Sequence, residues 1–270
     1  MTSHHNKHTF PHSHKIFPIA QPEKFHLSLS HTSPLTSTSS IYSKALGTKA
    51  SDEIYILTLN LHTYQESDQN TKLDKVAKTI SDLDIDLIAF QECAQHKDAT
   101  VVDTNNGIDI RSDNMAKIIC DKLKSNHGKT YYFVWDWAHY GFTSYEEGIA
   151  ILSQNPISNS GAIWVSTSQN QSDINSRKVI FGRTSVDGFG DINFTSAHTS
   201  WSAEHNTNAR NLVRTKSATH PNSVLNILCG DFNCQATDNP APQYDALTDG
   251  GELEDTFLTV NPNANNIPDH

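Results

Sequence analysis

Leu225-Asn226-Ile227-Leu228-Cys229-Gly230-Asp231-Phe232-Asn233-Cys234 is the stretch on which the reading of this 270-residue chain turns. Apolar residues dominate its first half, one Gly follows, and Asp231 and Asn233 then bracket Phe232. In extended chain the i, i+2 spacing puts both polar side chains on one face and Phe232 on the other, anchored in a core. A carboxylate beside a carboxamide can hold an attacking water and a phosphoryl oxygen; a turn without function is the other reading. A strand that is apolar along its length and polar at its tip can carry a site on a rigid element.

The same design recurs upstream. Ile54, Ile56, Leu57 and Leu59 run into Asn60, Leu87-Ile88-Ala89-Phe90 runs into Gln91-Glu92, and Asp191–Ala197 runs into His198. Glu92 would be partly buried there, which is costly for a lone carboxylate, so a hard divalent cation is a natural partner and a paired Lys or Arg the alternative. His198 could donate to a phosphoryl oxygen or act as a general acid near neutral pH, or be a hydrogen-bonded structural imidazole.

Between these tips, Leu73, Val76, Ile80 and Leu83 are spaced by three and four, which predicts a helix over 72–83. Similar patterns predict helices over 115–123 and 206–217. Strands are expected at 131–137, 148–153, 162–166, 178–186, 191–197 and 226–230. Several of them succeed one another across short turns such as Asp187-Gly188, which favours antiparallel hairpins. The expected class is α/β (α+β), with mixed, largely antiparallel sheets packed face to face and helices outside.

Composition narrows the function. Residues 1–50 hold five Lys against one acid, Glu23, and seven of the fifteen His, so this leader is +4 and the remainder of a chain of net charge -10 is -14. A folded part that acidic is a poor non-specific DNA binder, because polyanion affinity comes from Lys and Arg displacing counterions. The leader, with its Ser/Thr run and no sustained amphipathic period, is expected to be disordered. No apolar run is long enough for a transmembrane span, and the N-terminus has no apolar segment of the kind a secretory signal needs. Cys93, Cys120, Cys229 and Cys234 form no CxxC pair and are expected to be reduced and mostly buried, in a cytoplasmic chain.

Read together, several motifs resemble the endonuclease/exonuclease/phosphatase superfamily, the pancreatic deoxyribonuclease-like group. They are Asn60-Leu61-His62, Ile88-Ala89-Phe90-Gln91-Glu92, Glu147-Gly148-Ile149-Ala150-Ile151-Leu152-Ser153, Ser176-Arg177, Ala197-His198-Thr199 and Gly230-Asp231-Phe232-Asn233, in that order. The resemblance spans roughly 53–257. It implies a four-layer α/β/β/α sandwich and hydrolysis of a phosphoester with Mg²⁺ or Mn²⁺. By the same resemblance, Glu92 is the principal metal ligand with Asn60 beside it near metal and phosphate, and Arg177 contacts phosphate. His198 binds phosphate or aids protonation, Asp231 orients the attacking water, and Asn233 donates to the phosphoryl oxygen.

One part of the family pattern has no match. A further strand and a Ser-Asp-His motif normally follow Gly230-Asp231-Phe232-Asn233, whereas Asp255-Thr256-Phe257 is followed by an Asn/Pro-rich stretch ending at Pro268-Asp269-His270. Residues 51–270 therefore read as a domain short of its C-terminal strands, and weak turnover is expected of these 270 residues. A catalytically inactive member that binds a phosphate ligand is the alternative. Trp135, Trp137, His139, Tyr140, Phe142, Tyr145 and Trp201 read either as a substrate rim or as packing. The expected substrate is a phosphorylated small molecule, phospholipid headgroup or nucleic acid, taken up by a monomer, with the acidic balance favouring a smaller ester over duplex DNA.

Overall fold

A computed structural model describes residues 49, 53–236, 240–251 and 253–260. The expected disorder of the leader falls outside these residues, Lys49 apart, as does His270. Among the described residues there are eleven strands: β1 (Ile56–Asn60), β2 (Leu87–Gln91), β3 (Gln95–His96), β4 (Val101–Asn105), β5 (Ile108–Arg111), β6 (Tyr132–Gly141), β7 (Tyr145–Ser153), β8 (Ser158–Trp164), β9 (Lys178–Val186), β10 (Gly190–His198) and β11 (Leu225–Asp231). The helices are α1 (Gln69–Asp82), α2 (Met115–His127), α3 (Ala203–Thr219), α4 (Pro242–Thr248) and α5 (Thr256–Val260).

Two sheets form the body. In the first, β1 pairs parallel with β2, β2 and β3 pair antiparallel with β7, and β6 pairs with the other side of β7. In the second, the order is β11-β10-β9-β8, parallel between β10 and β11 and antiparallel elsewhere. The hairpin β4-β5 is separate, turning at Asn106-Gly107. It escaped the sequence reading because β4 is largely exposed and has no apolar alternation, although Asn-Gly is a strong hairpin signal.

Period-2 alternation sorts the strand residues into three apolar layers. Ile88, Phe90, Ala150 and Leu152 face Leu73, Ala77 and Ile80 of α1 and Met115, Ile119 and Leu123 of α2. Leu87, Ala89, Ile149 and Ile151, from the opposite face of the same strands, meet Ile180, Ile192 and Phe194 of the second sheet. Val179 and Ala197 then pack on Ala209 and Leu212 of α3. The result is the expected α/β/β/α sandwich. Cys93 and Cys120 are buried and Cys229 and Cys234 half-buried. Among the described residues, no helix is long and apolar enough to cross a membrane.

Gly230 marks the tightest point of the second sheet. It has φ of 156°, and a Cβ there would collide with the Ala197 backbone on β10. Gly230→Ala is expected to cost about 3 kcal/mol, read as a lower urea midpoint with unchanged slope.

Candidate active site

Strand direction decides which polar residues meet. The C-terminal ends of parallel β1 and β2 lie at one end of the first sheet, and because β7 runs the other way its beginning lies there too. In the second sheet, the ends of β10 and β11 and the beginning of β9 share an end. The apolar residues Ile56, Ala89, Ile149, Phe194 and Ile227 set the inter-sheet face of their strands. By alternation Asn60, Gln91, Glu147, His198 and Asp231 project from that same face at the strand ends. The gap between the sheets therefore closes on polar groups.

The contacts bear this out. Asn60 Nδ2 donates to Glu92 Oε1 at 2.9 Å and to Asp231 Oδ2 at 3.0 Å, linking a carboxylate of each sheet. Its Oδ1 accepts from the His62 backbone N–H at 2.9 Å. Glu147 Oε2 accepts from Thr63 Oγ1 at 2.8 Å, and its Oε1 lies 3.2 Å from His139 Nε2 and 3.9 Å from His198 Nδ1. His198 Nε2 is 4.0 Å from Glu92 Oε1. His139, Glu147, Arg177 and His198 together line a cavity of about 10 Å³, room for a single water. Behind the site, Gln91 Nε2 donates to Ser196 Oγ at 3.1 Å, a buried polar link between the sheets.

Six residues singled out from the sequence are thus placed. Asn60, Glu92, Arg177, His198 and Asp231 converge. Asn233 stands next to them but turned: β11 stops at Asp231, and Asn233 has φ of 47°, so the extended spacing expected for this pair does not continue. Its backbone N–H bonds to Asp231 Oδ1 at 3.0 Å, and its carboxamide donates to Thr199 O at 2.8 Å. Both N–H groups of Asn60 are likewise engaged, so in this geometry it clamps two carboxylates together. Of the aromatic residues, Trp135 is core and Trp201 is exposed.

Glu147 enters the sequence reading only as the first residue of a family motif and His139 only among the possible rim aromatics, while Thr63 is not singled out. Glu147 sits at the start of an antiparallel strand, where a search of strand ends does not look. The signal was an acid directly before the apolar run Gly148–Leu152. Its neighbour Glu146 points to the opposite face and is held by Arg111 and Gln95, so only one of the two acids belongs to the site.

Charge is unevenly matched here. Burial, with the Glu147 and Asp231 charges, raises the Glu92 pKa against the Asn60 hydrogen bond and the His62 charge. Burial also opposes ionisation of Glu147, but His139, His198 and Thr63 outweigh it and hold its pKa down at about 2. Burial lowers the Arg177 pKa, while Glu147, Glu92 and Asp231 support its charge. Burial and the Arg177 charge push His198 down to about 4, against the pull of Glu147 and Asp231. The Glu92, Asp231 and Glu147 carboxylates, brought together at one buried end of the sheets, favour a bound cation. The donor set fits one: ligand atoms of Glu92, Glu147 and His198 lie within 4.8 Å of one another. Glu92 Oε2 has only a long contact, 3.4 Å, to Thr63 Oγ1, which leaves it the most available oxygen of the set.

Backbone strain collects at the same place. His62, Thr63, Tyr64, Glu92 and Asn233 are five of the eleven non-glycine residues with left-handed φ among those described. Such conformations cost roughly 1–2 kcal/mol each, and are held where surrounding contacts over-determine them.

A family model for endonuclease/exonuclease/phosphatase proteins matches residues 57–264. The chain belongs to this family. Among solved structures, an endonuclease/exonuclease/phosphatase family protein from Leptotrichia buccalis is similar at 28% identity and a TM-score of 0.61, over 72% of each chain. A mannosyl-6-phosphatase from Bacteroides thetaiotaomicron shares the fold at 18% identity and a TM-score of 0.50, over 72% of this chain and 70% of that one. No curated protein matches the chain. Membership in the endonuclease/exonuclease/phosphatase family supports phosphoester hydrolysis in general terms, and the family's use of divalent metals agrees with the acidic and histidine cluster.

Thr63→Val keeps the shape of the side chain but removes the hydroxyl from buried Glu147. It is expected to lower stability by about 1–3 kcal/mol, measured by equilibrium denaturation.

Proposed function

We propose that the protein hydrolyses a small phosphorylated molecule by attack of water on phosphorus, at the inter-sheet end where Asn60, Glu92, Arg177, His198 and Asp231 meet. The observation that carries this reading is that convergence, in which Asn60 bridges the Glu92 and Asp231 carboxylates and Glu147 faces His198. Glu92, with Asn60 beside it, would hold a divalent cation, Mg²⁺ or Mn²⁺, which when bound withdraws charge from phosphorus and stabilises the leaving oxygen.

The chain's own groups divide the remaining work. Arg177 binds the phosphate oxygens as a fixed, largely desolvated charge, stronger there than at a surface. Asp231, half-buried and steadied by Asn60, accepts a hydrogen bond from the attacking water and aligns it. Asn233 sits on the other side of the Asp231 turn as a donor to a phosphoryl oxygen, a role that requires its carboxamide to leave the Thr199 carbonyl. His198 is held neutral by burial and donates an N–H to phosphate; an arriving phosphate anion beside it favours the protonated form that can deliver a proton to the leaving oxygen. Glu147 faces His198 and supplies the opposing negative charge.

The balance of -14 outside the leader supports a small ester over a long polyanion. Hydrolysis of p-nitrophenyl phosphate, bis(p-nitrophenyl) phosphate and plasmid DNA by the full chain tests this. Turnover of a small ester is expected with Mg²⁺ or Mn²⁺, lost in EDTA and lowered at least about 100-fold by Glu92→Gln. Turnover indifferent to EDTA and to Glu92→Gln would overturn the mechanism, and preferential cutting of plasmid would overturn the substrate class. Binding of phosphate without turnover would identify a binding module.

A further inference from the structure

His139 lies outside every motif that carries the family resemblance, yet it is among the most enclosed polar residues of the site, with 2% of its surface exposed. Strand alternation alone would not put it there. Trp135 and Trp137 on β6 face the helical side, and a residue two further on would follow them. The pairing of β6 with β7 shifts between Trp137, opposite Gly148, and His139, opposite Glu147, so Ala138 is an extra residue. A bulge of this kind re-aims the next side chain. Here it turns the imidazole to the inter-sheet face, onto Glu147.

The ring is fixed at both nitrogens. Nε2 lies 3.2 Å from Glu147 Oε1, and Nδ1 lies 3.0 Å from the Ser176 carbonyl and 3.2 Å from the Arg177 guanidinium. An ionised carboxylate can only accept, so Nε2 must carry a hydrogen. Thr63 holds the second Glu147 oxygen, and the backbone of Gly141 packs against it so closely that a Cβ there would strike the carboxylate. Glu147 therefore cannot turn, and its Oε1 is presented to both imidazoles.

We propose that His139 is a positioning residue: its Nε2–H locks the Glu147 carboxylate in the orientation that faces His198, and it acts on the reaction chiefly through Glu147, with Nδ1 left as an acceptor toward Arg177. This rests on the proposed hydrolytic site and extends it to a residue with no direct contact to substrate.

The test uses the full chain with bis(p-nitrophenyl) phosphate or p-nitrophenyl phosphate, whichever it turns over. His139→Ala is expected to lower kcat about 10- to 100-fold, as loss of a supporting hydrogen bond does, while KM moves less than about threefold. His139→Gln, whose side-chain amide can donate to Glu147 in place of Nε2, is expected to recover most of that loss. A His139→Ala/Glu147→Gln double variant should lose no more than Glu147→Gln alone. Losses that multiply, or a Gln variant as poor as the Ala variant at equal Tm, would overturn the proposal. A readout independent of turnover is a long-range ¹H–¹⁵N spectrum of histidine-labelled protein. It should show a protonated Nε2 on His139, and ring resonances of His198 that are displaced by His139→Ala and less so by His139→Gln. An unprotonated Nε2, or His198 signals indifferent to both replacements, sinks the proposal. If the wild-type chain hydrolyses no ester, the hydrolytic reading fails, and this spectrum alone decides the place of His139.

Discussion

Glu92 and Asp231 stand on different sheets, and the Asn60 carboxamide donates one N–H to each. Two carboxylates brought this close repel unless donors or cations lie between them, so this small link sets a tolerance for how the sheets approach one another. The buried Gln91 to Ser196 bond sets the same spacing one residue deeper. Everything further out depends on it: the distance from Glu92 to His198, the reach of Arg177, and the shared oxygen of Glu147. A polar inter-sheet contact is costly when half satisfied and specific when complete, which suits a site that must hold charge at fixed separations.

The architecture was legible because each layer leaves a periodic trace. Leu73, Val76 and Ile80 repeat at helical spacing, Leu87 to Phe90 is a run with both faces buried, and the strands 178–186 and 191–197 are joined by a short turn. Site residues at the ends of strands, Asn60, Glu92, His198 and Asp231, were visible for the same reason. Glu147 and His139 were not, because their positions depend on strand direction and on a single extra residue; the acid directly before the apolar run Gly148–Leu152 is the one trace that Glu147 leaves. Arg177 came only through family resemblance, since it precedes its strand. The geometry of Asn233 was hidden by a left-handed backbone that an Asn tolerates but does not advertise.

Strain and charge imbalance occur together here. The left-handed residues His62, Thr63 and Tyr64 carry the Thr63 hydroxyl to Glu147, and Glu92 leaves its strand through the same region of φ. Contacts between tightly packed layers hold these conformations. The site thus takes its rigidity from the sandwich, whose packed layers hold the strained backbone in place.

The middle apolar layer joins residues as distant in the chain as Leu87 and Phe194. Pairings of such separation close large loops at a cost in chain entropy, whereas the outer layers, in which α1 and α2 pack near their own strands, are more local. The half of the site on the first sheet and the half on the second therefore rest on different sets of packing contacts. They meet only across the inter-sheet layer, so the geometry of the candidate site depends on the longest-range packing in the chain.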